Sequence, residues 1–258
     1  MKFSIITPTF KRKDLLTRAV KSLLAQTYSD WEMIIVNDSP TDIEYRDFVS
    51  SINDARIHYH VNNHNKGVNY TRNQALEKVS ADSRWVIFLD DDDYFAPDTL
   101  KTLHDLILLH TDIKWFVTNR ALTNGKSLTR FPNNEKKYSY AWPYLILKRC
   151  KGDATHCIET KLINQEKVMF SEHVKQGEEW FFFYQLGLKT PMYYSDHNST
   201  ITDGYSTSTG LNFRKRAFRE QAETLSILFY EGVSRKLIYY PSFIIYLFAR
   251  FVRACIPH

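Results

Sequence analysis

The chain has 258 residues, of which 43% are hydrophobic and 24% charged, and its formal net charge is +5. This length and composition exclude a disordered chain and predict one large α/β domain, or two small ones, with a substantial core. From Thr209 to the end there are eight Lys or Arg and three Glu, so the tail carries the whole positive excess. No recognisable binding motif accompanies that charge, and nucleic acid is therefore the poorest interpretation of it.

The three cysteines form neither a metal-binding pair nor an even disulfide set, which predicts a reducing, cytoplasmic setting. The apolar part of MKFSIITPTF is too short for a signal peptide, and no run reaches the roughly 20 apolar residues that a spanning helix needs. We expect a cytoplasmic protein, and peripheral attachment to the inner face of the cytoplasmic membrane stays open.

Short apolar runs alternate with helical periodicity along the first ninety residues. The predicted order is strand, helix, strand, strand, helix, strand, with these members: Phe3–Thr7, 15–24, Met33–Val36, Ile57–Val61, Thr71–Val79 and Trp85–Leu89. Such alternation predicts a doubly wound parallel sheet that binds its ligand at the carboxyl ends of the strands. The polar segments TPTF, NDSP and DDDD all follow predicted strands and should meet at that edge.

The acidic quartet Asp90–Asp93 ends a buried strand. On an extended chain Asp90 and Asp92 point to one side, about 7 Å apart. Two such carboxylates can share a hard divalent cation, Mn²⁺ or Mg²⁺, although a solvated acidic turn is the alternative. The chain has neither GxGxxG nor GxxxxGK[ST], so a metal is the better counter-charge for a bound diphosphate.

Four segments in this order, SIITPTFKR, IIVNDSPTD, NKGVNYTRNQAL and FLDDDDYFAPDTL, resemble the nucleotide-sugar-binding half of family 2 glycosyltransferases. The resemblance resumes at GEEWFFFYQLG. It implies a GT-A fold, a Rossmann-like, mainly parallel sheet flanked by helices. We expect a GT-A domain over 1–208, with a nucleotide-sugar-binding half (1–100) and an acceptor and catalytic half (101–208). A basic and apolar helical extension follows over 209–258.

The resemblance also assigns the donor site. It implies a nucleobase and ribose pocket, an Asp38 that accepts a hydrogen bond from the imino group of a uracil-like base, an Arg72 that supports this pocket or contacts the diphosphate, and two aspartates that hold ribose or metal-bound water. The pocket and the two aspartates are Thr7, Pro8, Thr9, Phe10, and Asp90 and Asp91. Taken singly, Asp38 could be a turn cap and Arg72 a surface charge.

The metal site implied by the resemblance centres on Asp92, with Asp90 and, where the family commonly has His, Asp203. Asp is an acceptable ligand for a hard cation, and His197 is a rival for the same role. Ser206 and Ser208 could contact phosphate. Asp93 is expected to cap the next helix or to pair with a basic side chain.

Glu179 is the candidate general base, although the family usually has Asp there and Glu is one methylene longer. The alternative is that Glu178 and Glu179 only cap the following helix. Further residues could shape the sugar and acceptor pocket, or could belong to the core: Glu178, Trp180, His156, Asp153, Trp142 and Tyr144.

The tail segment Leu237–Phe251 is the most apolar stretch of the chain, and Arg and Lys flank it. Pro241 interrupts the run, so it is expected either to lie at an anionic membrane interface or to pack as a helix on the catalytic domain. Interfacial binding would suit a lipid-linked saccharide acceptor.

These expectations converge on an inverting hexosyl- or N-acetylhexosaminyltransferase. It would move a sugar from a nucleotide-diphosphate donor, UDP favoured, to a saccharide hydroxyl in bacterial surface polysaccharide or glycolipid assembly. The alternatives are a nucleotidyltransferase and a non-catalytic nucleotide-sugar or saccharide-binding protein. A nucleotidyltransferase usually opens with a Gly-rich basic loop, and TPTFKRKD contains no glycine.

Overall fold

The computed structural model describes residues 1–41, 43–174, 177–203 and 217–256. The first half consists of β1 (Lys2–Thr9), α1 (Lys13–Leu24), β2 (Trp31–Asn37), α2 (Ile43–Ser51), β3 (Ile57–Val61), α3 (Val68–Leu76), β4 (Ser83–Phe88), β5 (Asp93–Phe95) and α4 (Thr99–Leu109). The second half consists of β6 (Trp115–Leu122), β7 (Lys136–Tyr138), a π-helical segment (Tyr140–Ile146), β8 (Ala154–Glu159), α5 (Thr160–Glu166), α6 (Trp180–Gly187), β9 (Met192–Thr202), α7 (Phe218–Ser234), a 3₁₀ turn (Leu237–Tyr239) and α8 (Pro241–Cys255).

The strands of the described residues form one sheet in the order β3-β2-β1-β4-β8-β6-β9-β5, with β7 paired to β9. The first four strands are parallel to one another. In the second half β8 runs antiparallel to both β4 and β6, while β6 and β9 are parallel. The expected GT-A architecture, a mainly parallel sheet flanked by helices with a helical tail, is confirmed.

Strands β1, β2 and most of β4 are buried on both faces, which explains the apolar runs at their centres. Successive residues of β1 alternate between two hydrophobic clusters: Phe3 and Ile5 enter one, and Ile6 enters the other. Residues of β2 and β4 alternate in the same way. Because β2, β1 and β4 are neighbours, their carboxyl ends meet at one edge, and the three polar segments lie together there.

The tail helix α8 packs on the catalytic domain with one face and is exposed on the other. Phe243 is fully buried, and its ring centroid lies 5.5 Å from that of Tyr184 on α6. A Cβ at Gly232 of α7 would lie 2.4 Å from the Phe243 ring, so only glycine permits this approach. The outer face carries exposed apolar side chains: Ile244, Ile245, Phe248, Phe251 and Val252.

Pro241 does not break the tail helix but begins it. The N–H groups of the first helical turn have no partner within the helix, so the N–H that proline lacks costs no hydrogen bond there. The inner face of α8 packs on the catalytic domain, which was one of the two expectations for the tail. Its outer face is exposed in the described part of the chain. Among the helices in the described part of the chain, none has the length and apolar character needed to cross a bilayer.

Candidate functional site

A cleft of about 1120 Å³ opens at the carboxyl ends of the parallel strands. Its wall is built from the loops after β1, β2 and β4, from β8, and from the beginning of α6. The tail helix supplies Tyr246 and Arg250. The three polar segments predicted to converge on one edge therefore do so, and the second half of the chain closes the site.

The acidic quartet is a turn and not an extended segment, because the N–H of Asp93 donates to the carbonyl of Asp90 at 3.1 Å. The expected alternation of Asp90 and Asp92 is therefore wrong in its geometry. The turn brings one carboxylate oxygen each of Asp90, Asp92 and Asp93 within 4.8 Å of one another. Asp93 therefore belongs to the candidate metal-binding cluster, whereas the sequence predicted only Asp90 and Asp92 of the quartet as metal ligands.

Arginines from distant segments neutralise part of this charge. Asp90 lies 2.8 Å from Arg72, and Asp93 lies 2.8 Å from Arg120. Asp91 and Asp92 both pair with Arg12, at 2.5 and 2.9 Å. The pairing of Asp93 with a basic side chain is one of the two roles expected for it.

The charges and burial of the cluster fit a divalent cation. Fully ionised, the quartet and Glu179 carry five negative charges against three on Arg12, Arg72 and Arg120. Burial raises the pKa of Asp91 and of Asp93 to about 7, despite the opposing arginines. Three carboxylate oxygens are the hard donors that Mg²⁺ and Mn²⁺ prefer, so the residues present suit either ion.

Asp203 and the rival ligand His197 are not among the clustered groups. The carboxylate of Asp203 accepts two hydrogen bonds from the guanidinium of Arg18, at 2.6 and 2.8 Å. Nε2 of His197 lies 3.5 Å from Asp98. A metal role for Asp203 stays a prediction, and Ser206 and Ser208 lie outside the described residues.

At the carboxyl end of β1, Pro8, Thr9 and the following Phe10 line the cleft, whereas Thr7 is fully buried. The hydroxyl of Thr9 donates to Asp91 at 2.7 Å. Because Asp91 is itself fully buried beneath Thr9, it lies behind the wall of the cleft and not on its surface. Its expected contact with ribose or bound water stays a prediction.

Asp38 lines the cleft, and its carboxylate holds the loop before α3. It accepts hydrogen bonds from the backbone N–H groups of Lys66 and Gly67, at 2.9 and 2.7 Å, and from the side chain of Asn62 at 2.8 Å. These contacts match the turn-cap alternative. Recognition of a uracil-type base by Asp38 stays a prediction.

Arg72 is buried, so the interpretation of it as a surface charge is wrong. Its guanidinium lies 2.8 Å from Asp90 and 3.1 Å from Glu179. Burial alone would lower the pKa of Arg72, but the two carboxylates raise it above its usual value, so it stays charged. One guanidinium thus joins the acidic turn to the candidate base.

Glu179 precedes α6, lines the cleft and leaves 43% of its side chain exposed. Its carboxylate makes no capping hydrogen bond to the helix. The carboxylate of Glu178 is buried and accepts hydrogen bonds from Trp180 and Arg250. The helix-capping alternative is therefore not the arrangement that the two glutamates adopt.

The expected acceptor-pocket residues divide into two groups. His156, Asp153, Tyr144 and Trp180 line the cleft, whereas the exposed Trp142 is outside its lining. Burial lowers the pKa of His156 to about 3, and its Nδ1 accepts from the indole N–H of Trp115 at 3.1 Å. His156 is therefore a neutral wall residue at physiological pH.

The sequence analysis did not identify several cleft residues: Arg12, Arg120, Lys148, Tyr246 and Arg250. Arg12 is the second residue after TPTF, and that position was an available signal. Nothing in the local pattern distinguishes the other four from surface charges or core aromatics.

Residues 4–168 match the profile of the family described as glycosyl transferase family 2, and the chain belongs to that family. A relative from Escherichia coli, the UDP-Glc:alpha-D-GlcNAc-diphosphoundecaprenol beta-1,3-glucosyltransferase WfgD, is 29% identical over 162 residues, which cover 62% of this chain and 61% of WfgD. The GalNAc(5)-diNAcBac-PP-undecaprenol beta-1,3-glucosyltransferase of Campylobacter jejuni is 38% identical over 105 residues, 40% of this chain and 33% of the relative. The chain thus matches less than two thirds of the length of either relative.

The crystal structure of Staphylococcus aureus TarS 1-349 in complex with UDP-GlcNAc superimposes with a TM-score of 0.73. The alignment covers 88% of this chain and 65% of TarS 1-349, at 22% sequence identity. At that identity the likeness establishes the fold.

Proposed function

We propose that the protein is an inverting glycosyltransferase that moves a sugar from a nucleotide-diphosphate donor to a hydroxyl of a saccharide acceptor. One observation carries this proposal: Arg72 bridges Asp90 of the acidic turn and Glu179 across a single cleft. A leaving-group site and a candidate proton acceptor thereby line the same cleft. A single displacement requires both groups in one site, on opposite faces of the sugar carbon that reacts.

In this mechanism Glu179 takes the proton from the acceptor hydroxyl as that oxygen attacks the anomeric carbon. The bond from carbon to the diphosphate oxygen breaks on the opposite face, so the configuration inverts. Asp90, Asp92 and Asp93 would hold Mn²⁺ or Mg²⁺, which supplies Lewis-acid stabilisation to the departing diphosphate. The guanidinium of Arg72, 3.1 Å from Glu179, holds the position of this carboxylate in the cleft.

UDP is the proposed nucleotide. The name of WfgD specifies UDP-Glc, and the TarS complex contains UDP-GlcNAc. The names of the two relatives specify undecaprenol-linked diphosphate saccharides as acceptors. We therefore propose a lipid-linked saccharide as acceptor, in bacterial surface polysaccharide or glycolipid assembly.

Turnover of a donor panel tests the function. UDP-, GDP- and dTDP-sugars are incubated with the purified chain, with Mn²⁺ or with a chelator, and nucleotide release is measured. We expect UDP release from at least one UDP-sugar in Mn²⁺ alone. Release of pyrophosphate from a nucleoside triphosphate and a sugar phosphate, with every nucleotide sugar untouched, would instead establish a nucleotidyltransferase.

The exposed face of α8 supports docking on an anionic membrane surface, with its aromatics at the headgroup level. The double substitution Phe248→Ser and Phe251→Ser should weaken co-sedimentation with vesicles of phosphatidylglycerol and phosphatidylethanolamine about 10-fold. Leu108→Ser with Leu109→Ser, two exposed apolar residues on α4, is the matched control and should bind as the unmodified chain does. Equal sedimentation of all three proteins would refute membrane docking through α8.

A further inference from the structure

Glu178 adopts a conformation that its surroundings must maintain. Its φ is +64°, in the left-handed region that side chains other than glycine seldom enter, and Gly177 before it has φ +71°. Such a conformation persists only where neighbouring groups fix it. Because Glu178 directly precedes Glu179, whatever fixes Glu178 also sets the direction in which Glu179 enters the cleft.

The groups that bind Glu178 are well defined. One carboxylate oxygen accepts from the indole N–H of Trp180 at 2.5 Å, and the other accepts from the guanidinium of Arg250 at 2.6 Å. The side chain of Glu178 is only 3% exposed, so an unpaired charge there would be strongly disfavoured. Arg250 therefore places a positive charge directly against the buried carboxylate of Glu178.

Arg250 comes from the tail, 72 residues along the chain from Glu178. The tail helix is anchored beside the site, since the Tyr246 ring lies 4.7 Å from that of Trp180 and 5.9 Å from the guanidinium carbon of Arg250. Residues 4–168 match the family profile, so both partners of this ion pair lie beyond the matched region. Glu178 lies in the GEEWFFFYQLG segment that resembles the family, but Arg250 lies in no such segment, so the family assignment does not supply this contact.

We propose that Arg250 is a positioning residue, which holds Glu178 and thereby aims the Glu179 carboxylate at the acceptor hydroxyl. The tail is then part of the catalytic unit and not an appendage to it. This inference rests on the proposed function, in which Glu179 is the base. Donor binding should be insensitive to Arg250, because the acidic turn and the loops after β1 and β2 form the donor half of the cleft.

Two measurements test the proposal, and the first requires no activity. The amides of Phe181 and Phe182 donate to the carbonyls of Glu178 and Glu179, at 3.0 and 3.1 Å. Arg250→Ala should accelerate hydrogen exchange at these amides about tenfold, because Glu178 loses its anchor. Arg219→Ala is the control: Arg219 also pairs with a glutamate in the tail, at 2.9 Å from Glu223, but it is 89% exposed.

The second measurement is kinetic and uses the donor that the unmodified chain turns over. Arg250→Ala should lower kcat about 10- to 100-fold, the effect of a misplaced reacting group, with the donor KM unchanged. Arg250→Lys keeps the charge beside Glu178 and should recover most of the lost kcat. If Arg250 had a merely structural role, Arg250→Ala would change the donor KM and kcat together. Arg250→Lys would then not restore kcat selectively.

The outcomes distinguish this inference from the proposed function. If the unmodified chain transfers sugar and Arg250→Ala keeps a kcat within twofold of Arg219→Ala, the positioning role is overturned and the function stands. If no donor is turned over, the proposed function fails, and the exchange measurement alone decides whether the tail holds Glu178. Equal exchange at Phe181 and Phe182 in both variants overturns the proposal in either case.

Discussion

Glu179→Gln is expected to lower kcat by about 10³-fold, within the range that loss of a general base produces. The amide has nearly the shape of the carboxylate, and its oxygen can still accept from Arg72, which lies 3.1 Å from Glu179. It cannot take up a proton from the acceptor hydroxyl. The chemistry should therefore fail while the cleft and the donor site stay intact.

The measurement compares kcat and the donor KM of Glu179→Gln with those of the unmodified chain and of Glu166→Gln. Glu166 is the matched control, because it pairs with Lys189 at 2.7 Å at the end of α5 and does not line the cleft. The control should keep full activity. If Glu179→Gln retained a kcat within about threefold of the unmodified chain, another group would have to accept the proton.

Asp92→Asn is expected to weaken Mn²⁺-dependent binding of UDP about 100-fold or more, since loss of even an outer partner of a metal ligand costs 10- to 100-fold. The substitution removes one of the three clustered carboxylates and its charge. Arg12 keeps its second partner, Asp91, at 2.5 Å, so the variant should fold. The effect should be confined to the metal and the diphosphate that it binds.

Thermal stabilisation by UDP, titrated with Mn²⁺ and with a chelator, measures this effect. Asp82→Asn is the control, because Asp82 is an exposed aspartate paired with Lys2 at 2.9 Å. We expect the control to respond as the unmodified chain does and Asp92→Asn to show little stabilisation. Stabilisation that is equal in Asp92→Asn, or unaffected by the chelator, would contradict the metal assignment.

The parallel half of the fold could be predicted because its physical signal is local. Strands β1, β2 and most of β4 are buried on both faces and therefore appear as apolar runs, and each of these runs ends in a polar loop. Parallel strands bring those loops to one edge, so the position of the site followed from Thr9, Asp38 and Asp90. Helix α2 was not predicted, because NDSPTD has the composition of a turn and the following segment is only weakly periodic.

The charge balance of the acidic turn could not be read from the sequence. Arg12, Arg72 and Arg120 neutralise most of the quartet. Along the chain, however, Arg72 and Arg120 are isolated basic residues and Arg12 lies in the basic run KRK, and both patterns are typical of a surface. Their contacts with the turn span between 18 and 80 residues. Only the completed fold brings them together, and the same is true of the pair formed by Glu178 and Arg250.

The metal cluster shows how one turn alters a prediction. In an extended strand, the side chains of Asp90 and Asp92 would point to one side and that of Asp93 to the other. The hydrogen bond that closes the turn instead brings all three within 4.8 Å, and Asp203 is held by Arg18 outside this group. The residue type was informative about the chemistry, while the choice of ligands depended on backbone geometry.

The most direct test of the central claim is the anomeric configuration of the product formed in the donor panel. The acceptor is a lipid diphosphate saccharide, the donor is the UDP-α-sugar that is turned over, and the linkage is determined by NMR. Single displacement with Glu179 as base predicts a β-linked product, formed in Mn²⁺ and lost in Glu179→Gln. An α-linked product, or no transfer from any nucleotide sugar to any saccharide, would contradict it.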